Sequence, residues 1–137
     1  MITLDEVLHH LTLWVPDLER AAPSWTWLVG DKLGCAVETR PADHILLFRH
    51  PSGFALVLEQ SPDMVPGMLH SRLRPGLNHV AFTLSSPDEL LEILGEAGDH
   101  GWSPLPVDRH PMATSAEVAY LEDRDGFEVE LVALTPG

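Results

Sequence analysis

Two histidines and two glutamates recur at matching places along this 137-residue sequence: His10, Glu59, His79 and Glu130. The histidines are 69 residues apart and the glutamates are 71 residues apart, which indicates a duplicated module. Two imidazoles and two carboxylates suit a borderline divalent ion such as zinc, nickel, cobalt, manganese or iron. The residues therefore predict a divalent metal site at the junction of two modules, with positions left for water or substrate.

The segments around these residues have the patterns of strands and helices in a repeated order. In the first half, we expect strands over 7–15, 34–39, 44–49 and 54–60, and a helix over 18–30. In the second half, we expect strands over 77–84, 103–110, 116–123 and 127–134, and a helix over 87–98. Asp17 is placed to cap the first helix, and Pro23 either kinks it or marks a second start. The order is βαβββ followed by βαβββ, an α+β fold of two tandem modules.

Strand parity places the four candidate ligands on equivalent faces of their strands. The opposite faces are apolar, as at Leu13 and Val15, and are expected to lie under the helices. A sheet with helices on one face usually shows the other face to solvent or to a cavity. Two neighbours compete with the candidates. His9 falls on the apolar face, where a buried core histidine is expected, and Glu128 shares the face of Glu130.

The turns before the two glutamates differ in length. Glu130 lies four residues after Gly126, whereas Glu59 lies six residues after Gly53. If the turns align strictly, Val57 is the equivalent of Glu130 and the first module lacks its carboxylate. A hairpin longer by two residues would instead make Glu59 the equivalent, because the strand parity is the same in both cases.

Six further side chains are candidate substrate contacts: Trp14, Arg72, Arg74, Arg109, His110 and Tyr120. The two arginines before the second-module strand could hold a substrate carboxylate, or they could be solvated surface charges. Trp14 shares a face with His10 and could wall an aromatic pocket. Arg109, His110 and Tyr120 could donate a proton or touch the substrate, and each also fits an ordinary structural role.

Composition excludes several classes of function. The formal net charge of −13 opposes binding to nucleic acid, which relies on lysine and arginine. No apolar run approaches the roughly 20 residues that cross a membrane, and the first ten residues do not resemble a signal peptide. The single cysteine, Cys35, fits a reducing cytoplasm. We expect one cytoplasmic domain with modules at 1–60 and 77–137, joined by a connection at 61–76.

Three segments resemble the vicinal oxygen chelate superfamily, which includes glyoxalase I, bleomycin-resistance proteins and extradiol dioxygenases. They are HHLTLWVPDLERA, GLNHVAFTLSSPDEL and YLEDRDGFEVELVA, and the resemblance covers nearly the whole chain. It implies a cupped mixed sheet with helices on the outer face, a homodimer, and His10, Glu59, His79 and Glu130 as the ligands. Trp25-Thr26-Trp27 replaces the usual Phe-Tyr of the first helix, and a glutathione-binding signature is missing.

The resemblance leaves three functions open. The first is a metal-dependent lyase or isomerase of glyoxalase type, which chelates vicinal oxygens of a small substrate and uses Glu59 or Glu130 as a general base. The second is a non-catalytic drug-binding protein that holds an aromatic cation. The third is an extradiol-type dioxygenase with Fe(II), which needs two histidines and one glutamate.

Overall fold

A computed structural model of the protein describes residues 8–65, 67–106 and 116–134. The chain divides into two compact units, Met1–Met68 and Leu69–Gly137, and the boundary falls inside the connection predicted at 61–76. Each unit contains a four-stranded mixed sheet and follows the order strand, helix, three strands. The predicted α+β fold of two tandem βαβββ modules is therefore confirmed.

The first unit forms a sheet in which the first and last strands are neighbours. Its elements are β1 (His10–Trp14), α1 (Leu18–Trp25), a π-helix (Thr26–Lys32), β2 (Ala36–Arg40), a 3₁₀ turn (Pro41–Asp43), β3 (Ile45–Arg49) and β4 (Ala55–Glu59). The strand order is β1-β4-β3-β2. β1 runs parallel to β4, whereas β2, β3 and β4 form antiparallel hairpins.

The first helix begins where the sequence predicts but changes its winding near the end. The Asp17 carboxylate accepts a hydrogen bond from the backbone N–H of Arg20 at 3.1 Å and so caps the helix. Pro23 lies inside α1, where it removes one backbone hydrogen bond. Three residues later the helix continues as the wider π form, which buries Trp27 and Leu28. The predicted helix is thus continuous, with no second start at Pro23.

The second unit repeats the arrangement of the first. Its elements are β5 (Val80–Leu84), α2 (Pro87–Glu96), a 3₁₀ turn (Ala97–His100), β6 (Ser103–Leu105), β7 (Ala116–Glu122) and β8 (Glu128–Leu134). The strand order is β5-β8-β7-β6, with β5 parallel to β8. The predicted strand at 103–110 is seen over its first three residues, and residues 107–115 lie outside the described part. None of the described helices has the length and apolar character of a membrane span.

The turn before β8 is built around an Asp-Gly pair. Gly126 has a φ of 91°, and a Cβ at this position would collide with the backbone carbonyl of His70. The Asp123 carboxylate accepts hydrogen bonds from the backbone N–H groups of Asp125 and Phe127 at 3.0 and 2.9 Å. The ring of His70 stacks on Phe127 at 4.5 Å. The segment before β5 therefore holds the start of β8 in place.

The central strands are buried on both faces, which differs from the sequence-based expectation. As expected, Leu56 and Leu58 face the core on the apolar side of β4. The opposite side, however, is also buried at Val57 in β4 and at Glu128 and Glu130 in β8. Both strands also have a hydrogen-bonded neighbour on each edge.

Candidate functional site

The face of the first sheet that carries His10 is organised in three rows of side chains. The rows run from β1 through β4 to β3 and are His10–Ala55–Arg49, Thr12–Val57–Leu47 and Trp14–Glu59–Ile45. Glu59 therefore lies beside Trp14, four residues along the strand from the row of His10. At about 3.3 Å per residue, the two rows are about 13 Å apart.

A cavity of about 350 Å³ lies over these rows. Its floor is apolar and contains Leu47, Ala55 and Val57, which pack into one cluster with Ile45. Its ends are polar: the two adjacent histidines and Arg49 line one end, and Glu59 and Arg40 line the other. The volume is at the lower end of the range for small-molecule sites.

His9 and His10 hydrogen-bond to each other at the end of the cavity. Their Nδ1 atoms are 2.9 Å apart and their rings meet edge to face. His9 is exposed, so the expectation of a buried core histidine is wrong; the regular strand begins only at His10. One ring must donate its Nδ1–H to the lone pair of the other. When His10 is the donor, its Nε2 keeps the lone pair that a metal ligand requires.

The tautomer of His79 is defined by its neighbour. The side-chain NH₂ of Asn78 donates to the backbone carbonyl of Arg72 at 2.9 Å, which turns its Oδ1 toward His79. The Nδ1 of His79 lies 2.8 Å from that oxygen and must carry the proton, because an amide oxygen only accepts. In the neutral ring, Nε2 then presents its lone pair. Both candidate histidines thus bond through Nδ1 to the preceding residue.

His79 and Glu130 form a donor pair that suits a cation. The Nε2 of His79 lies 2.9 Å from Oε1 of Glu130, and the carboxylate is almost fully buried. Two lone pairs at this distance repel each other unless a proton or a metal ion is shared between them. Ligand atoms bound at about 2.1 Å to one octahedral or tetrahedral ion lie about 3.0–3.4 Å apart, close to the observed distance.

Arg72 has a structural partner in the second unit. Its Nε lies 3.1 Å from Oε1 of Glu128, whose side chain is fully buried. Glu128 also approaches Nδ1 of His79 at 3.6 Å. The neighbouring ring of Tyr120 is buried and meets His79 edge to face at 5.8 Å. Arg72 therefore compensates a buried charge, and Tyr120 supports the imidazole.

The sheet register decides which residue of the first unit matches Glu130. Glu130 pairs with the residue two positions after His79, and Val57 pairs with the residue two positions after His10. Val57 is thus the counterpart of Glu130, and the longer hairpin that would make Glu59 the counterpart is absent. Glu59 lies on the same face of β4 as Val57, two residues further along the strand.

The remaining candidates are dispersed. Trp14 is 48% exposed beside Glu59, and Arg74 is exposed in a turn before β5. Arg109 and His110 lie outside the described residues. Within either unit, the described residues gather no group of three or more histidine, cysteine, aspartate or glutamate side chains that could hold a metal ion.

Sequence reasoning assigned His9 to the core, and it missed three residues of this arrangement: Asn78, Arg40 and Arg49. The alternation of Ile45, Leu47 and Arg49 was a signal for the last of these, because it places the guanidinium on the face of the cavity. The hydrogen bonds of His9 and Asn78 depend on side-chain rotamers, for which the sequence has no periodic signal.

Comparison with known proteins identifies the family. The sequence model of the Glyoxalase/Bleomycin resistance protein/Dioxygenase superfamily matches residues 9–120. The chain belongs to this superfamily. Among superfamily members of known structure, it is similar to a glyoxalase candidate from Bacillus halodurans, with 30% identity over 94% of this chain and 96% of that one and a TM-score of 0.79.

Two other proteins are similar to this superfamily member. The uncharacterized protein YqjT of Bacillus subtilis (strain 168) is 30% identical over 128 residues, which are 92% of this chain and 98% of that protein. The fosfomycin resistance protein FosX from Listeria monocytogenes is 22% identical over 98% of this chain and 94% of that one, with a TM-score of 0.68. The likeness to FosX concerns the fold alone.

Arg72→Met should destabilise this superfamily member, because it removes a positive charge that lies 3.1 Å from the buried carboxylate of Glu128. Removing one member of a buried ion pair typically costs about 3–5 kcal/mol. The exposed Arg74→Met is the matched control and should change the free energy of unfolding by no more than about 0.5 kcal/mol. Urea unfolding measures both. Equal stability of the two variants would contradict a structural role for Arg72.

Proposed function

We propose that the protein is a metal-dependent enzyme of glyoxalase-like lyase or isomerase type, which chelates two vicinal oxygens of a small substrate. His10, His79 and Glu130 are the proposed ligands of a divalent ion. The observation that carries the proposal is the contact of His79 Nε2 with the buried Glu130 Oε1 at 2.9 Å, in which Asn78 holds the proton on the other ring nitrogen. Two lone pairs held together in this way call for a shared cation.

The donor chemistry fits a borderline divalent metal. Imidazole nitrogens and carboxylate oxygens are ligands for zinc, nickel, cobalt, manganese and iron. In the superfamily, a FosX variant from Listeria monocytogenes is described in complex with Mn(II). The proposed ligands belong to two units, so we propose their joint use within one chain or across a cytoplasmic homodimer.

The ion, when bound, supplies Lewis-acid stabilisation of the negative charge that develops on the substrate oxygens. The protein must also move a proton from carbon, and Glu59 is the proposed base. It lines the same cavity as His10 and is half-buried. Its carboxylate makes no hydrogen bond or ion pair with any described residue, so its lone pairs are available to accept a proton. Glu130, which is already paired with His79, is the second candidate for this step.

Removal of the proposed ligands should separate metal binding from proton transfer. His79→Ala and Glu130→Gln should each weaken metal binding by more than about 100-fold, which exceeds the loss expected for a residue outside the ligand set. Glu59→Gln should keep the metal and lose turnover. Metal analysis after purification without chelators, followed by metal titration, measures the affinity. Unchanged metal content in the His10→Ala, His79→Ala double variant would exclude the proposal.

The residues that precede the two histidines should tune the metal affinity. Asn78→Ala and His9→Ala remove the Nδ1 partners of His79 and His10, and loss of such a partner typically costs about 10–100-fold in affinity. Asn78→Asp keeps an acceptor for Nδ1–H and should retain most of the affinity. Titration with zinc or manganese measures the three constants. If Asn78→Ala binds as tightly as Asn78→Asp, the hydrogen bond has no role in metal binding.

A second candidate function is supported by Val57. With valine at the counterpart of Glu130, the symmetric ligand set contains two histidines and one glutamate. This set is typical of non-haem Fe(II) oxygenases and would suit an extradiol-type dioxygenase. Oxygen consumption by the Fe(II)-loaded protein with catechols distinguishes the two candidates. A lyase or isomerase consumes no oxygen, whereas a dioxygenase consumes one molecule for each catechol cleaved.

A further inference from the structure

Arg49 is a cation in the cavity of the first unit, and the fold does not use it. Its guanidinium makes no hydrogen bond or ion pair with any of the residues that the structure describes. Arg40, at the other end of the cavity, is bound to Glu38 at 2.9 Å. The positive charge of Arg40 is therefore compensated within the protein, whereas that of Arg49 faces the open cavity.

Arg49 and His10 flank a small side chain. They occupy the two ends of the row His10–Ala55–Arg49, so their Cα atoms are about 10 Å apart across two strand spacings. The methyl group of Ala55 is too short to fill the space between an imidazole and a guanidinium. A small molecule that rests on Ala55 can contact His10 on one side and Arg49 on the other.

We propose that this cavity binds a small anionic substrate, and that Arg49 holds its carboxylate or phosphonate group. The inference deepens the proposed function and rests on it, because it names the substrate class of the cavity that His10 and Glu59 line. A guanidinium is suited to this task, since its planar fork binds such groups through two hydrogen bonds. Arg49 is thus a specificity-determining residue.

The charges in the cavity fix the orientation of the substrate. Glu59 lies at the end opposite Arg49, and its carboxylate repels an anion. The floor of Leu47 and Val57 accommodates a short hydrocarbon segment between the two ends. The net charge of −13 repels anions from the protein as a whole, so a local cation is required to retain one.

The arginines suggested by the sequence are less suited to this role. Arg72 is bound to the buried Glu128 at 3.1 Å. Arg74 is exposed in a turn of the second unit and does not line the cavity. Arg74 therefore serves as the matched control for Arg49.

The inference is tested by nuclear magnetic resonance on the metal-free protein, titrated with malonate and with its neutral analogue malonamide. Malonate should shift the backbone amide signals of His10, Arg49 and Ala55 in a saturable way, and malonamide should not. Arg49→Gln should weaken malonate binding by about tenfold or more, as for the loss of a hydrogen-bonded charge. Arg49→Lys keeps the charge and should retain part of the affinity. Arg74→Gln should bind as the wild type does.

Three results would overturn the inference: equal malonate affinity in Arg49→Gln, equal shifts with malonamide, or shifts confined to residues 72–76. The titration contains no metal, so it does not depend on the proposed metal site. The zinc affinity of Arg49→Gln is measured separately and should equal that of the wild type. A failed anion site would then leave the metal proposal standing, and a failed metal proposal would leave the anion site standing.

Discussion

The parallel pairing of the first and last strands in each unit determines which functional side chains can meet. β1 lies beside β4 and β5 beside β8, although a helix and two strands separate the members of each pair in the chain. A slip of one residue would turn the ligand-bearing face into the core, where Leu13 and Leu58 now pack. Burial of the apolar face therefore enforces the register, and the register brings Glu130 to His79. The chemistry of the site follows from the packing of the opposite side.

Local patterns in the sequence predicted the elements well, because strand alternation and helix caps are short-range features. Asp17 and the Asp-Gly turn at Gly126 behave as expected. The register between strands more than forty residues apart has no local signal, so the counterpart of Glu130 stayed open until the pairing of Val57 was known. His9 was assigned to the core by alternation, and this failed because the regular strand begins one residue later.

Glu128 and Glu130 show what sequence alone could not supply, which is the partner of each carboxylate. They are two residues apart, on the same face and equally buried. A buried carboxylate must be paired, since desolvation of an isolated charge is very costly. Glu128 lies 3.1 Å from Arg72, a permanent cation, whereas Glu130 lies 2.9 Å from Nε2 of His79, an imidazole that is charged only when it is protonated. The nature of the partner distinguishes the two carboxylates, and that partner is distant in the sequence.

The two modules share one plan but differ in the side chains on the ligand-bearing face. The second unit places the buried Glu130 against the partly exposed His79, which is hydrogen-bonded to Asn78. The first unit keeps an apolar floor at Val57 and an open cavity above it. A glutamate in place of Val57 would restore the symmetry of the ligands, but it would put a second negative charge between Glu59 and Arg49. Such a charge would weaken the hold of Arg49 on an anion, so the valine favours a cavity that accepts a negatively charged molecule.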